Sequence, residues 1–185
     1  EKKPLHPQKI ISGDMLIIAG ETKDELGGSE YYEYIHNLIG GTCPSVDLKA
    51  SKANMQAILD LIGSELVNCV HDCSKGGLVV AVSKMCITNE VGCVIIMEKI
   101  PAQKLKDDEI IFSESHSRYL ISVSPKNIKK TKDLLEQKGI PCEVIGKFIG
   151  SSIVFKKTTK TIINLRVDKA QKKWLNSLGL LVAHG

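Results

Sequence analysis

Apolar and polar positions along this chain follow two periods. Short apolar runs bounded by turn residues read as strands: Met15 to Ala19 after Gly13-Asp14, Leu66 to Val70, and Gly92 to Met97. Cys142 to Ile145, Ser152 to Phe155 and Thr161 to Leu165 are shorter versions joined by glycine-bearing or charged turns. A strict alternation, with Tyr119, Ile121 and Val123 on one face and Leu120 and Ser122 on the other, marks a further strand. Between the strands, apolar residues recur three or four apart. Leu26 to Glu30 opens a helix that contains Tyr31, Tyr34, Ile35 and Leu38. Asp47 is placed to cap a helix whose apolar face carries Leu48, Met55, Ile58, Leu59 and Ile62, with Gly63 as its stop. Leu78, Val82, Met85 and Cys86 predict a helix over 78–88, and Glu98 to Glu109 is irregular or lightly helical. Ser124-Pro125 starts a helix through Lys138, which Gly139 ends. A last helix from Asp168 to Leu178 is expected to bury Trp174, Leu175 and Leu178. Roughly seven strands and five helices, irregularly interleaved, predict an α+β fold in which helices cover a mixed sheet in three layers.

The stretch that organises this pattern is His71-Asp72-Cys73-Ser74-Lys75-Gly76-Gly77, between the 66–70 strand and the 78–88 helix. The first amides of a helix lack intrahelical partners and sit at the positive end of its dipole, so a phosphate or carboxylate suits that place. Ser74 can cap the helix with its hydroxyl, and Gly76 and Gly77 allow a backbone or ligand to approach closely. Leu26-Gly27-Gly28-Ser29-Glu30 is a second turn of the same kind. Each turn has two readings: a serine-capped connection with nothing bound, or an anion cradle.

The other unusual stretch is Phe112-Ser113-Glu114-Ser115-His116-Ser117-Arg118. Its hydroxyls, carboxylate, imidazole and guanidinium hydrogen-bond well and pack poorly. Two readings stand side by side: a hydrophilic loop with an Arg118–Glu114 surface pair, worth little, or the polar lining of a site.

Composition narrows the choice. The chain has 185 residues, 43% of them hydrophobic but only 4% aromatic, so an aliphatic core is expected. A net charge of +4, with lysines spread over 126–132 and 156–160, gives no concentrated basic face, and no nucleic-acid partner is expected. The six cysteines form no C-x-x-C pair, so no metal site is expected at the thiols. With no signal peptide and no long apolar run, a soluble, reduced, cytoplasmic protein without a membrane partner is expected.

Four motifs in order carry a family resemblance: Leu26 to Tyr31, Pro44-Ser45-Val46-Asp47-Leu48, His71 to Leu78, and Phe112 to Leu120. Together they resemble the phosphoribosylformylglycinamidine synthases, members of the superfamily of aminoimidazole ribonucleotide synthetase and selenophosphate synthetase. The resemblance runs from about Asp14 onward and is to the carboxy-terminal α+β domain of the second half of the large catalytic subunit (synthase II). It implies that residues 1–13 are a linker from an upstream domain and 14–185 the synthetase-type domain. It further implies an ATP-dependent ligase of purine biosynthesis. That ligase joins glutamine-derived ammonia to formylglycinamide ribonucleotide with ATP and magnesium, alongside a glutaminase subunit and a small accessory subunit. The family's catalytic histidine and most of its magnesium and ATP ligands lie in other domains. No catalytic residue, metal ligand or certain cofactor is therefore assigned here, and the isolated chain is expected to be inactive. The alternative is a non-catalytic scaffold domain with an auxiliary nucleotide or anion site. Carried over by position are Gly27, Gly28, Ser29, His71, Asp72, Ser74, Gly76 and Gly77 as phosphate or nucleotide candidates. Ser113, Glu114, Ser115 and Arg118 are carried over as polar cleft candidates. Lys75 stands where the family usually has an acidic residue, which reverses a charge and argues against a metal there. His116 stands where an amide side chain is common.

Overall fold

A computed structural model describes residues 9–182, with side chains through residue 177. In chain order its elements are β1 (Met15–Ala19), α1 (Glu30–His36), α2 (Leu48–Gly63), β2 (Cys69–Asp72), α3 (Gly77–Asn89), β3 (Cys93–Ile96), α4 (Asp107–Phe112), β4 (Tyr119–Val123), α5 (Ile128–Gln137), β5 (Cys142–Phe148), β6 (Ser152–Lys156), β7 (Thr161–Arg166) and α6 (Val167–Val182). The strands form one mixed sheet of order β2-β4-β1-β5-β3-β6-β7. Every pairing is antiparallel except β3 with β6.

The sheet is buried on both sides where β1 runs. Leu16 and Ile18 face one core and Ile17 and Ala19 the other, which is why this strand reads as an unbroken apolar run. On the first side Leu120 joins Leu78, Val82 and Met85 of α3 and Ile110 and Ile111 of α4, with Val167 and Ala170 of α6 packed against them. On the second, Ile121 and Val123 meet Ala57, Ile58 and Leu61 of α2 and Leu135 of α5. Helices on both faces of a mixed sheet make the three-layer α+β design that the sequence pattern predicts. Among the described residues, no helix is long and apolar enough to cross a membrane.

Several expectations are corrected. The strand predicted at 66–70 lies at Cys69–Asp72 and is half-buried, because it is an edge strand paired only with β4. In α2 the residues that reach the core are Ala57, Ile58 and Leu61, while Leu48, Met55 and Leu59 stay exposed on another side of the helix. No residue of α1 is fully buried: Tyr34 and Ile35 are 74% and 66% exposed. Trp174 and Leu175 are exposed rather than buried, and the Leu178 side chain lies outside the described residues. The helix expected from Ser124-Pro125 opens with a 3-10 turn before α5 begins. Residues 1–8 of the expected linker also lie outside the described residues.

Candidate functional site

The carboxyl end of β2, the turn into α3, and the 113–118 segment leading into β4 meet because β2 and β4 are neighbours, with Asp72 opposite Tyr119. The loop after β1 joins them, since β1 lies on the other side of β4. The sheet order thus brings three motifs, distant in sequence, to one end.

The turn into α3 is not capped by Ser74. The cap residue is Gly76, at φ 79°, with no side-chain cap bond, and the Ser74 carbonyl accepts from the Gly77 amide at 2.9 Å. Left-handed backbone at the cap position suits glycine, and Ser74 lies two residues ahead of it. Gly77 serves close packing: a Cβ there would lie 2.5 Å from the Ser113 carbonyl oxygen. Gly27 does the same in the other turn, where a Cβ would lie 2.1 Å from the Thr42 carbonyl oxygen. Ser29 does cap α1, accepting from the Tyr32 amide at 3.3 Å while its own hydroxyl donates to the Leu26 carbonyl at 2.6 Å.

Two amides of these turns have an internal partner. Oε1 of Glu114 accepts from the Gly76 amide at 2.8 Å and from the Glu30 amide at 3.0 Å. One carboxylate therefore bridges the starts of α3 and α1. Lys75 adds an exposed ion pair to Glu30 at 2.8 Å.

Arg118 forms no surface pair with Glu114. It is 1% exposed, and its guanidinium donates to the Ser115 carbonyl (3.1 Å), to Oγ1 of Thr22 (3.0 Å) and to the Ser113 carbonyl. Burial pulls its pKa below the ordinary value, against the pull of Cys73, Glu25 and Glu114. Ser113 and Ser115 are also buried; they bond to each other at 2.9 Å and to the Lys23 backbone. The polar block is thus an interior knot that fastens the 20–25 loop to the start of β4. Cys73 lies beside it, and burial pushes its thiol up to about 11.

Two clefts flank the His116–Ser117 turn. One, of about 360 Å³, is walled by Asp72, Ser74, Lys75, Glu114, His116 and Tyr119 among others. The second, of about 450 Å³, lies between the 20–25 loop, the start of α2 and the 138–141 segment. Its polar walls include Glu25, Asp47, Asn54, Ser115, His116 and Lys138. Burial raises the Glu25 pKa, but hydrogen bonds from Ser115 and Ser45 and the charge of Lys23 outweigh it, so the carboxyl stays below its usual range. Of the sequence candidates, Asp72, Ser74, Ser115, Glu114 and Arg118 therefore line one cleft or the other. Gly27, Gly28, Ser29, His71, Gly76, Gly77 and Ser113 stand outside both walls. Motif reading missed Glu25, Asn54 and Lys138. Asn54 had a signal, a polar side chain on the helix face that carries Ile58 and Leu61; its amide donates to the Ser117 carbonyl at 3.0 Å. Among the described residues, no three His, Cys, Asp or Glu side chains converge as a metal site.

Comparison with known proteins agrees with this fold. Residues 12–156 match the family "AIR synthase related protein, C-terminal domain". A phosphoribosylformylglycinamidine synthase subunit PurL from Moorella thermoacetica is 36% identical over 92% of this chain and 23% of its own length. Its counterpart in Methanocaldococcus jannaschii is 39% identical over 90% of this chain and 22% of its own length. The chain thus spans about a quarter of the length of the curated relatives it matches. Among solved structures, Thermotoga maritima PurL complexed with FGAR superposes with a TM-score of 0.78 at 17% identity, covering 89% of this chain and 29% of that one. The same protein complexed with ATP gives 0.74 at 18% identity, covering 89% and 26%.

Proposed function

Because the chain belongs to the family of AIR synthase related C-terminal domains, we propose that it is the closing domain of a phosphoribosylformylglycinamidine synthase. One observation carries this reading: PurL relatives match nine-tenths of the chain at 36–39% identity. In the proposed reaction the γ-phosphoryl group of ATP passes to the amide oxygen of formylglycinamide ribonucleotide, and ADP leaves. Ammonia then attacks the activated carbon and loses a proton. The carbon–oxygen bond breaks, phosphate departs with the oxygen, and the amidine remains. The ammonia comes from glutamine through a glutaminase subunit, with a small accessory subunit in the complex.

Such chemistry needs positioning more than covalent help from the protein. In this reading the domain supplies walls. The 450 Å³ cleft has the size of a small-molecule site, and its mixed lysine and carboxylate walls suit a polar substrate rather than an apolar one. The buried Arg118 knot holds the His116–Ser117 turn between the clefts. No residue of this chain is given the part of acid, base or nucleophile, and no step runs through a metal held here.

The test is an assay of the longer polypeptide that contains this chain. With ammonium, Mg-ATP and formylglycinamide ribonucleotide it should form ADP only when the ribonucleotide is present, and the 185-residue chain alone should form none. Ribonucleotide-independent ADP formation, or none, overturns the ligase reading. The second reading, a scaffold domain without a ligand, is favoured by the internal occupation of the amides at Gly76 and Glu30. ADP that raises the Tm of the polypeptide, but not of a variant with the 450 Å³ cleft filled by Ala53→Trp, would reject it.

A further inference from the structure

We propose that Glu114 is a positioning residue whose carboxylate acts as a built-in anion, closing the turn before α3 to external phosphate and clasping α1 to it. Three observations converge. The carboxylate accepts from two amides that belong to different helices, Gly76 at 2.8 Å and Glu30 at 3.0 Å. α1 buries none of its own residues, so its seven residues have no core of their own to hold them. What fixes α1 is peripheral: the Ser29 cap, the Lys75–Glu30 pair, the stack of Tyr31 on Phe112 at 4.3 Å, the Tyr31 hydroxyl donating to Asp108 at 3.4 Å, and Glu114. Glu114 is also anchored through its own amide, which donates to the Glu25 carbonyl at 3.2 Å.

The chemistry follows from where the charge sits. Amides at the start of a helix attract an anion whether it is free or tethered. A tethered carboxylate is always present, so it fills the place at any phosphate concentration. The strand-turn-helix stretch that reads in sequence as a phosphate cradle is thereby closed to phosphate. The adjoining cleft sets the Asp72 and Glu114 carboxylates against Lys75 and the buried Arg118, so its wall offers no net positive charge to an anion. The inference holds whichever reaction the chain serves.

Anion rescue tests it, read by Tm and by hydrogen exchange at the Glu30 and Gly76 amides in the chain and in the longer polypeptide. Glu114→Ala leaves space and two unpartnered amides. It should lose protection at both amides together, while Leu16–Ile18 and Leu120–Ile121 in the sheet stay protected. Acetate or inorganic phosphate should restore that protection and raise the Tm of Glu114→Ala by about 2–4 °C more than that of the wild type. Glu114→Gln keeps an acceptor oxygen in place and should show little rescue. Loss of protection at only one amide, or rescue no greater than in the wild type, would overturn the proposal. If Glu114→Ala does not fold, the Gln variant decides: it must keep both amides protected without responding to phosphate, and a phosphate response there also overturns the proposal.

Discussion

At the scale of single residues, the two serine turns look alike in sequence and differ in structure. Ser29 is buried and caps α1, whereas Ser74 is exposed and its hydroxyl caps nothing. Ser29→Ala should therefore cost about 1 kcal/mol or somewhat more, while Ser74→Ala should stay within about 0.5 kcal/mol of the wild type. Urea denaturation at unchanged m-value measures both. Equal losses would mean that the two turns share one capping geometry. Arg118 shows the same divergence between local reading and outcome. A charged residue in a polar run reads as surface, yet its guanidinium satisfies two carbonyls and a threonine hydroxyl deep in the domain. The residue type was visible; its partners, such as Thr22, come from a loop almost a hundred positions away, which no local pattern encodes.

At the scale of elements, glycine separates packing from conformation. Gly77 and Gly139 both have positive φ, 64° and 69°, but only Gly77 has another backbone against it. Gly139→Ala should cost about 1–2 kcal/mol from left-handed strain alone. Gly77→Ala adds an overlap with Phe112 and Ser113, so α3 must shift from α4, at about 1–3 kcal/mol more. Paired denaturation curves check the ordering, and a Gly77→Ala as mild as Gly139→Ala would contradict the close approach. Strand positions were legible because period-two and unbroken apolar runs are local signals. β4 begins and ends as its alternation predicts, and β1 matches its run. Helix faces were less legible. Leu48, Met55 and Leu59 share a side of α2, and nothing in the helix alone says whether that side or the one with Ala57, Ile58 and Leu61 meets the sheet.

At the scale of the whole molecule, carboxylates set the response to acid. Lys157, ahead of the opposing effect of burial, holds Asp107 below its usual pKa; hydrogen bonding from Thr158 lowers Glu98, and Arg166 lowers Asp168. Glu143 is also lowered, its bonds to the Val144 amide and Lys132 outweighing burial. A carboxyl with a lower pKa in the folded state stabilises fully above its unfolded pKa. That contribution is lost as pH falls through the folded value. The Tm should thus be flat near neutrality and fall once the pH drops below about 4.5. Thermal melts from pH 7 to pH 3 measure this, and a Tm that rises on acidification would contradict it. These groups are largely exposed, so added salt should shrink the effect.

By itself the sequence determined most of the strands and the longer helices, the α+β class and the family. Each of these rests on short-range periodicity or on motifs read in order. It also marked two polar stretches, the turn before α3 and the segment before β4, which the sheet order brings together. Only the tertiary structure decided what those stretches do to one another. The sheet order sets β2 beside β4, and that adjacency delivers Glu114 to the two amides where an outside anion was expected. A helix start attracts negative charge without specifying its source. Which carboxylate or phosphate arrives is a matter of long-range chain packing, and here the chain brings its own.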